Sequence, residues 1–152
     1  AGAGAEPPAW QLLRTTLLVG LTEEWVYRGL LLALLTHCWG WRRGAGLSLV
    51  AFGALHWLNL GGGQSLAAVL IQSVLAALSG ATLLLAAVGT RSLLVPMLAH
   101  GLFDFFVIDG SRLPHGPTGD QLALLLLAAG PLIGLFSLWR LMRHPRGEPY
   151  AD

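Results

Sequence analysis

The chain has 152 residues, 55% of them hydrophobic and only 11% charged, with a mean hydropathy of +0.65. Soluble domains carry about 25% charged residues, so this composition points to a membrane protein. All nine basic residues are arginine, with no basic patch interleaved with aromatics, so nucleic acid is excluded as a partner. The single cysteine, Cys38, rules out an intrachain disulfide and any multi-cysteine metal site.

Five apolar stretches follow in order. The first 8 residues, small residues and prolines with no initiator methionine, read as a tail at the cut edge of a longer chain. Helix 1 is predicted over 9–38. At about 1.5 Å per residue such a helix exceeds a bilayer core of about 30 Å, so it must tilt, protrude or break, with Gly20 as the candidate break. Helix 2 is predicted over 44–58, ending at the turn Asn59-Leu60-Gly61-Gly62-Gly63. Helix 3 spans 64–88, and its small residues (Ala76, Ala77, Ser79 and Gly80 among them) suit close helix packing. Helix 4 spans 91–108. Helix 5 spans 119–142, after a loop holding Pro114, Gly116 and Pro117. Apolar spans in lipid become helices, because the backbone must satisfy itself. The expected fold is an all-α, polytopic transmembrane bundle of about five helices, with one core over 9–143 and a tail over 144–152.

The arginines set an orientation. Arg42, Arg43, Arg91, Arg140, Arg143 and Arg146 fall on one side, Arg14 and Arg112 on the other. The arginine-rich side is expected to be cytoplasmic, in a bacterial inner or plasma membrane, with the C-terminus inside. Trp10, Trp25, Trp39, Trp41, Trp57 and Trp139 mostly lie near span ends, as an aromatic belt would.

Glu6, Asp109, Asp120, Glu148 and Asp152 sit in loops or tails. Glu23, Glu24, Arg28 and Asp104 do not. Each charge inside a span costs about 2.5–3.5 kcal/mol on insertion scales, and such groups face internal cavities and pair with one another. Glu24 and Arg28 are i and i+4, the spacing of an ion pair. Glu23 is turned by about 100° and addresses another wall. Phe52 and His56 share this spacing on helix 2, as do His100 and Asp104 on helix 4. His37, His115 and His144 fall at helix ends or in loops, outside this cluster. By depth, Glu23, His56, His100 and Asp104 all lie in the half of the bilayer opposite the arginine-rich side, the outer half.

Peptide hydrolysis needs an activated water and a group that stabilises the oxyanion. A glutamate can be the base, one histidine can hold the water, and a second histidine with its neighbour can donate to the oxyanion. The same donors could bind zinc, since two histidines and a glutamate are a known catalytic ligand set. The H-E-x-x-H zinc helix is absent.

Glu23-Glu24-Trp25-Val26-Tyr27-Arg28, Phe52-Gly53-Ala54-Leu55-His56 and His100-Gly101-Leu102-Phe103-Asp104 resemble, in this order, the E-E-x-x-x-R, F-x-x-x-H and H-x-x-x-N/D motifs of the CAAX protease and bacteriocin-processing (CPBP, or Abi) family. That family includes the type II CAAX prenyl endopeptidase. The similarity spans roughly residues 17–107. It implies an intramembrane endopeptidase acting on a membrane protein or lipidated peptide. Glu23 would activate water beside His56, and His100 with residue 104 would form the oxyanion pocket. Glu24, Arg28 and Phe52 would support them. It implies no cofactor under a glutamate-protease mechanism, and zinc on Glu23, His56, His100 and Asp104 under a metalloprotease one. The prenyl endopeptidases carry asparagine at the position of Asp104. A carboxylate cannot donate unless protonated, so Asp104 is neutral, orients His100 or ligates a metal. Tyr27 and Asn59 are further cavity-lining candidates. The competing reading is a non-proteolytic membrane protein that moves an ion or proton through the cluster, or an immunity or scaffold protein. A site open to the outer face would suit trimming of exported proteins better than of cytoplasmic prenylated tails.

Overall fold

A computed structural model describes residues 7–110 and 117–143, with side chains described at 7–110 and 129–143. Glu6, Arg112, His115, His144, Arg146, Glu148 and Asp152, with both tails' outer parts, lie outside that description, as does the side chain of Asp120. All described elements are helical: α1 (Ala9–Glu24), a π-helical turn (Trp25–Leu31), α2 (Leu32–Leu55), a 3-10 turn (His56–Leu60), α3 (Leu66–Thr90), α4 (Leu94–Gly110) and α5 (Pro117–Arg143).

The chain's own chemistry sets these boundaries. Pro8, with φ −62° and ψ 152°, stands before α1 in an extended conformation that needs no helical N–H. Gly40 breaks α2 at φ 74° and ψ 166°, a backbone that a side chain would strain, so the helix has two arms, 32–39 and 41–55. Ser65 caps α3, its hydroxyl accepting from the Ala68 N–H at 3.2 Å. Arg91 ends α3 in the left-handed conformation, at φ 52°. The Ser92 hydroxyl accepts from the Leu94 N–H at 3.2 Å and opens α4.

The stretch predicted as helix 1 departs from its expected shape. Gly20 does not break it, and α1 runs straight through that residue. Gly20 is instead needed small, because a Cβ there would stand 2.6 Å from the Met97 carbonyl and from the Gly101 N–H of α4. The irregularity comes later, where the Leu32 N–H bonds the Tyr27 carbonyl five residues back. Ser48 of α2 also donates to that carbonyl, at 3.1 Å. The turn is thus braced from outside. Helix 2 is also longer than expected at its start, and its last residues, with His56, tighten into the 3-10 turn.

α1 packs on α4, and α3 packs on both α2 and α5. Leu32, Trp41, Ala45, Leu49, Ala81, Leu84 and Leu141 form the buried apolar core. Trp41 belongs to that core rather than to a belt. Its indole N–H donates to the Leu141 carbonyl at 3.3 Å, which sets the kink of α2 against the end of α5. Arg42, Arg43, Arg140 and Arg143 therefore gather at one end of the bundle, all exposed.

The outer surface is apolar. Leu18, Leu21, Leu98, Phe103 and Phe106 on α1 and α4, and Ile71 and Val74 on α3, are all exposed. A soluble monomer rarely shows so continuous an apolar surface, whereas lipid covers it at no cost. α3 is by itself long and apolar enough to cross a membrane, with a hydropathy of 2.0.

Candidate active site

The site is built where α1, the π turn, the second arm of α2, α3 and α4 meet. Glu23 and Glu24 close α1, and Arg28 lies in the π turn. Phe52 and His56 sit at the end of α2, Gly80 in α3, and His100 and Asp104 in α4. All seven polar and aromatic residues read from the sequence are brought together here. His37 is exposed elsewhere, as its position at a helix end implied.

Glu24 and Arg28 form the floor. Both are almost wholly buried, at 0% and 1% exposure. Arg28 Nη1 donates to Glu24 Oε1 at 2.8 Å. Its Nη2 donates to the Gly80 carbonyl at 3.2 Å, and the guanidinium carbon lies 4.1 Å from the centre of the Phe52 ring. Three different kinds of contact thus hold one buried cation, as a charge out of water requires. Gly80 was legible in the sequence only as a packing residue. Here its missing side chain makes room, since a Cβ would stand 2.8 Å from Arg28 Nη2 and 3.1 Å from Phe52 Cδ1.

His100 stands on this floor. Its Nδ1 lies 2.9 Å from Glu24 Oε1, the same oxygen that Arg28 uses. A carboxylate paired with a guanidinium only accepts, so Nδ1 carries a hydrogen and donates it. The other nitrogen lies 3.5 Å from Asp104 Oδ2 and 3.9 Å from Glu23 Oε2. Glu23 and Asp104 keep 25% and 31% of their side chains exposed, so they form the accessible rim above a dry floor. The two adjacent glutamates take opposite nitrogens of one imidazole, a sharper division than their helical offset implied.

His56 repeats the arrangement. Its Nδ1 is 3.3 Å from the Phe52 carbonyl. A carbonyl cannot donate, so Nδ1 again carries a hydrogen, and a neutral ring then has its lone pair on Nε2. Glu23 and Asp104 both lie within electrostatic reach of His56. Phe52 joins the two histidines. Its ring meets His56 and His100 edge-on, each at 5.8 Å between centres, and Tyr27 at 5.2 Å.

Among the described residues, no group of three or more His, Cys, Asp or Glu side chains is arranged to hold a metal ion. Each histidine of the site has its Nδ1 committed within the protein, which leaves Nε2 as the nitrogen able to meet a substrate, a water or a metal ion.

A family model described as "Type II CAAX prenyl endopeptidase Rce1-like" matches residues 5–106. The chain belongs to that family. The match covers every residue of the site, from Glu23 to Asp104, and runs through α1, α2 and α3 into α4. The Rce1-like assignment makes this an integral membrane protein of a CAAX-type endopeptidase family. No curated protein and no solved structure matches the chain significantly.

Proposed function

We propose that this Rce1-like protein is an intramembrane endopeptidase that hydrolyses a peptide bond of a membrane-associated protein or lipidated peptide with a water activated by Glu23. One observation carries the proposal. The His100 ring is held by Glu24 on Nδ1 at 2.9 Å, so that Nε2 is turned to the partly exposed carboxylates of Asp104, at 3.5 Å, and Glu23, at 3.9 Å.

The residues then divide the reaction. Glu23 and His56 Nε2 hold the water between them, and the Glu23 carboxylate takes its proton as the oxygen adds to the substrate carbonyl carbon. The negative charge that develops on the carbonyl oxygen accepts a hydrogen bond from His100 Nε2–H. His100 carries that second hydrogen as an imidazolium flanked by the Glu24 and Asp104 carboxylates. Asp104 thus supports the oxyanion pocket through the charge of His100 and does not itself donate. The C–N bond breaks when Glu23 returns its proton to the leaving amine, and no step passes through a metal.

The test uses the purified full chain in detergent and a farnesylated, internally quenched peptide ending in a CAAX box. Cleavage is expected, insensitive to chelators, and reduced by about 10²–10⁴ in Glu23→Gln. His56→Ala is expected to fall in the same range. If both variants cleave like the parent chain, the proposal fails.

A further inference from the structure

Asn59 lies one turn beyond His56 and is the sole carboxamide of the 3-10 turn. Its Nδ2 donates to Gln72 Oε1 of α3 at 3.0 Å. α3 is the most lipid-compatible helix of the protein, and a carboxamide within it needs a use. The other polar side chains of α3 are satisfied locally. Ser73, Ser79 and Thr90 bond carbonyls of their own helix, and Thr82 accepts from Ser137. Gln72 alone reaches toward the turn that bears His56.

Two registers place this pair on the site side. In a 3-10 helix, side chains at i and i+3 eclipse, so Asn59 shares the face of His56, about 6 Å further along the axis. On α3, Gln72, Ala76 and Gly80 are spaced by four and share a face, and Gly80 is the residue that bonds Arg28. Both carboxamides are only partly buried, and the neighbouring Trp57, Leu58 and Leu60 are exposed apolar side chains.

Pairing two carboxamides uses one N–H and one carbonyl. Whichever way round the two groups are set, one carbonyl and at least one N–H remain. Among the described residues nothing else occupies them. A peptide bond cut within the membrane must leave its helix first, and its backbone N–H and C=O then lose their partners in a medium that offers none. A carboxamide pair beside the water-holding histidine has the complementary donor and acceptor.

We propose that Asn59 and Gln72 form a backbone-binding subsite, which holds the unwound substrate strand on the His56 side of the scissile bond. The subsite rests on the endopeptidase reading of the neighbouring cluster. It would take any extended peptide segment, because it reads main-chain groups and not side chains.

The experiment uses the full chain in detergent with the same farnesylated quenched peptide, and a series of ester analogues in which one backbone N–H at a time is replaced by oxygen. The variant is Asn59→Leu/Gln72→Leu, which removes both carboxamides and leaves neither orphaned. KM is expected to rise about three- to tenfold, the loss of one or two neutral hydrogen bonds, with kcat within about twofold. Peptide binding to the uncleaving Glu23→Gln chain, read by fluorescence anisotropy, is expected to weaken by the same factor. One ester position should weaken binding to Glu23→Gln and make no difference once the carboxamides are gone. A fall in kcat at constant KM would make the pair a brace for His56 and overturn the subsite, as would an ester penalty that is the same in both chains. Binding with this pattern but no cleavage by the parent chain would overturn the protease reading and leave the subsite standing. Absence of binding would overturn the subsite.

Discussion

Glu24 Oε1 stands 2.8 Å from Arg28 Nη1 and 2.9 Å from His100 Nδ1, so one buried carboxylate oxygen ties the guanidinium of the π turn to the imidazole of α4. Among the described residues its second oxygen is buried without a hydrogen-bond partner. Glu24 is therefore both a structural anion and the group that turns His100 Nε2 toward Glu23 and Asp104. The two roles separate by substitution. Glu24→Gln leaves Arg28 as a buried uncompensated cation, and a loss of about 3–5 kcal/mol is expected. Glu24→Leu/Arg28→Leu removes both charges, and its thermal unfolding midpoint is expected to return most of the way to that of the parent. Cleavage is expected to stay lost in the double variant, because His100 is no longer held. Recovery of cleavage along with stability would show that Glu24 serves only the fold.

The distance between Glu24 and His100 is set one turn away. Gly20 and Gly101 meet backbone to backbone, and a Cβ on Gly101 would stand 2.7 Å from Leu17 Cα and 2.8 Å from the Thr16 carbonyl. Neither obstacle is a flexible side chain, so α1 and α4 must part to accept a methyl group. Gly101→Ala is expected to cost about 1–3 kcal/mol, the range for overpacking. It is expected to reduce cleavage further than that loss explains, at temperatures where the variant is fully folded. Gly89→Ala is the control, since nothing stands within 4 Å of a Cβ there. Circular dichroism melts with kcat measured on the same preparations check both.

The sequence made the site residues readable because charge inside an apolar span is expensive. Glu23, Glu24, Arg28 and Asp104 stand out on that ground alone, and the i, i+4 spacing correctly pairs Glu24 with Arg28. The helices were legible for a related reason, as apolar runs separated by Gly, Pro and Asn. What stayed hidden were relations between helices. Nothing in Trp25–Leu31 marks a π turn, because its composition suits an α-helix equally well and the register shift is held from outside by Ser48. Gly20 read as a weak point because glycine weakens an isolated helix, yet its use is contact with α4. Gly80 read as packing, and only the approach of Arg28 gives it a part in the site. The contact of Glu24 with His100 spans 76 positions, and no local pattern encodes it.

Asp104 offers a direct test of how the proposed oxyanion pocket is charged. Its Oδ2 lies 3.5 Å from His100 Nε2, near enough to stabilise an imidazolium. Asp104→Asn removes the charge and supplies a side-chain N–H that can itself donate. Activity is expected to remain within about tenfold of the parent, the consequence of exchanging one charge interaction for one hydrogen bond. The pH profile is expected to move, since the group that holds the proton on His100 has changed. Asp104→Leu has neither property, and a loss of about 10²–10³ is expected, comparable to removal of an oxyanion donor. Equal activity in the Asn and Leu variants, with an unmoved pH profile, would remove Asp104 from the pocket.

The exposed arginines give the site a side. Trp41 and Leu141 bring Arg42, Arg43, Arg140 and Arg143 to one end of the bundle, while His56 and the turn after it close the other. Positive residues stay cytoplasmic, so the Gly61–Gly63 turn is expected to face outward. The measurement uses a Cys38→Ser background with a single cysteine placed at Gly62 or at Arg43. A membrane-impermeant maleimide applied to intact cells is expected to label the first, and to reach the second only after the membrane is opened. The opposite pattern would turn the half that holds Glu23 and His56 toward the cytoplasm, where prenylated tails are found. The labelling result therefore fixes the substrate pool as well as the topology, because only a segment that enters from the side of the Asn59–Gln64 turn reaches Glu23 and His56 without crossing the bilayer.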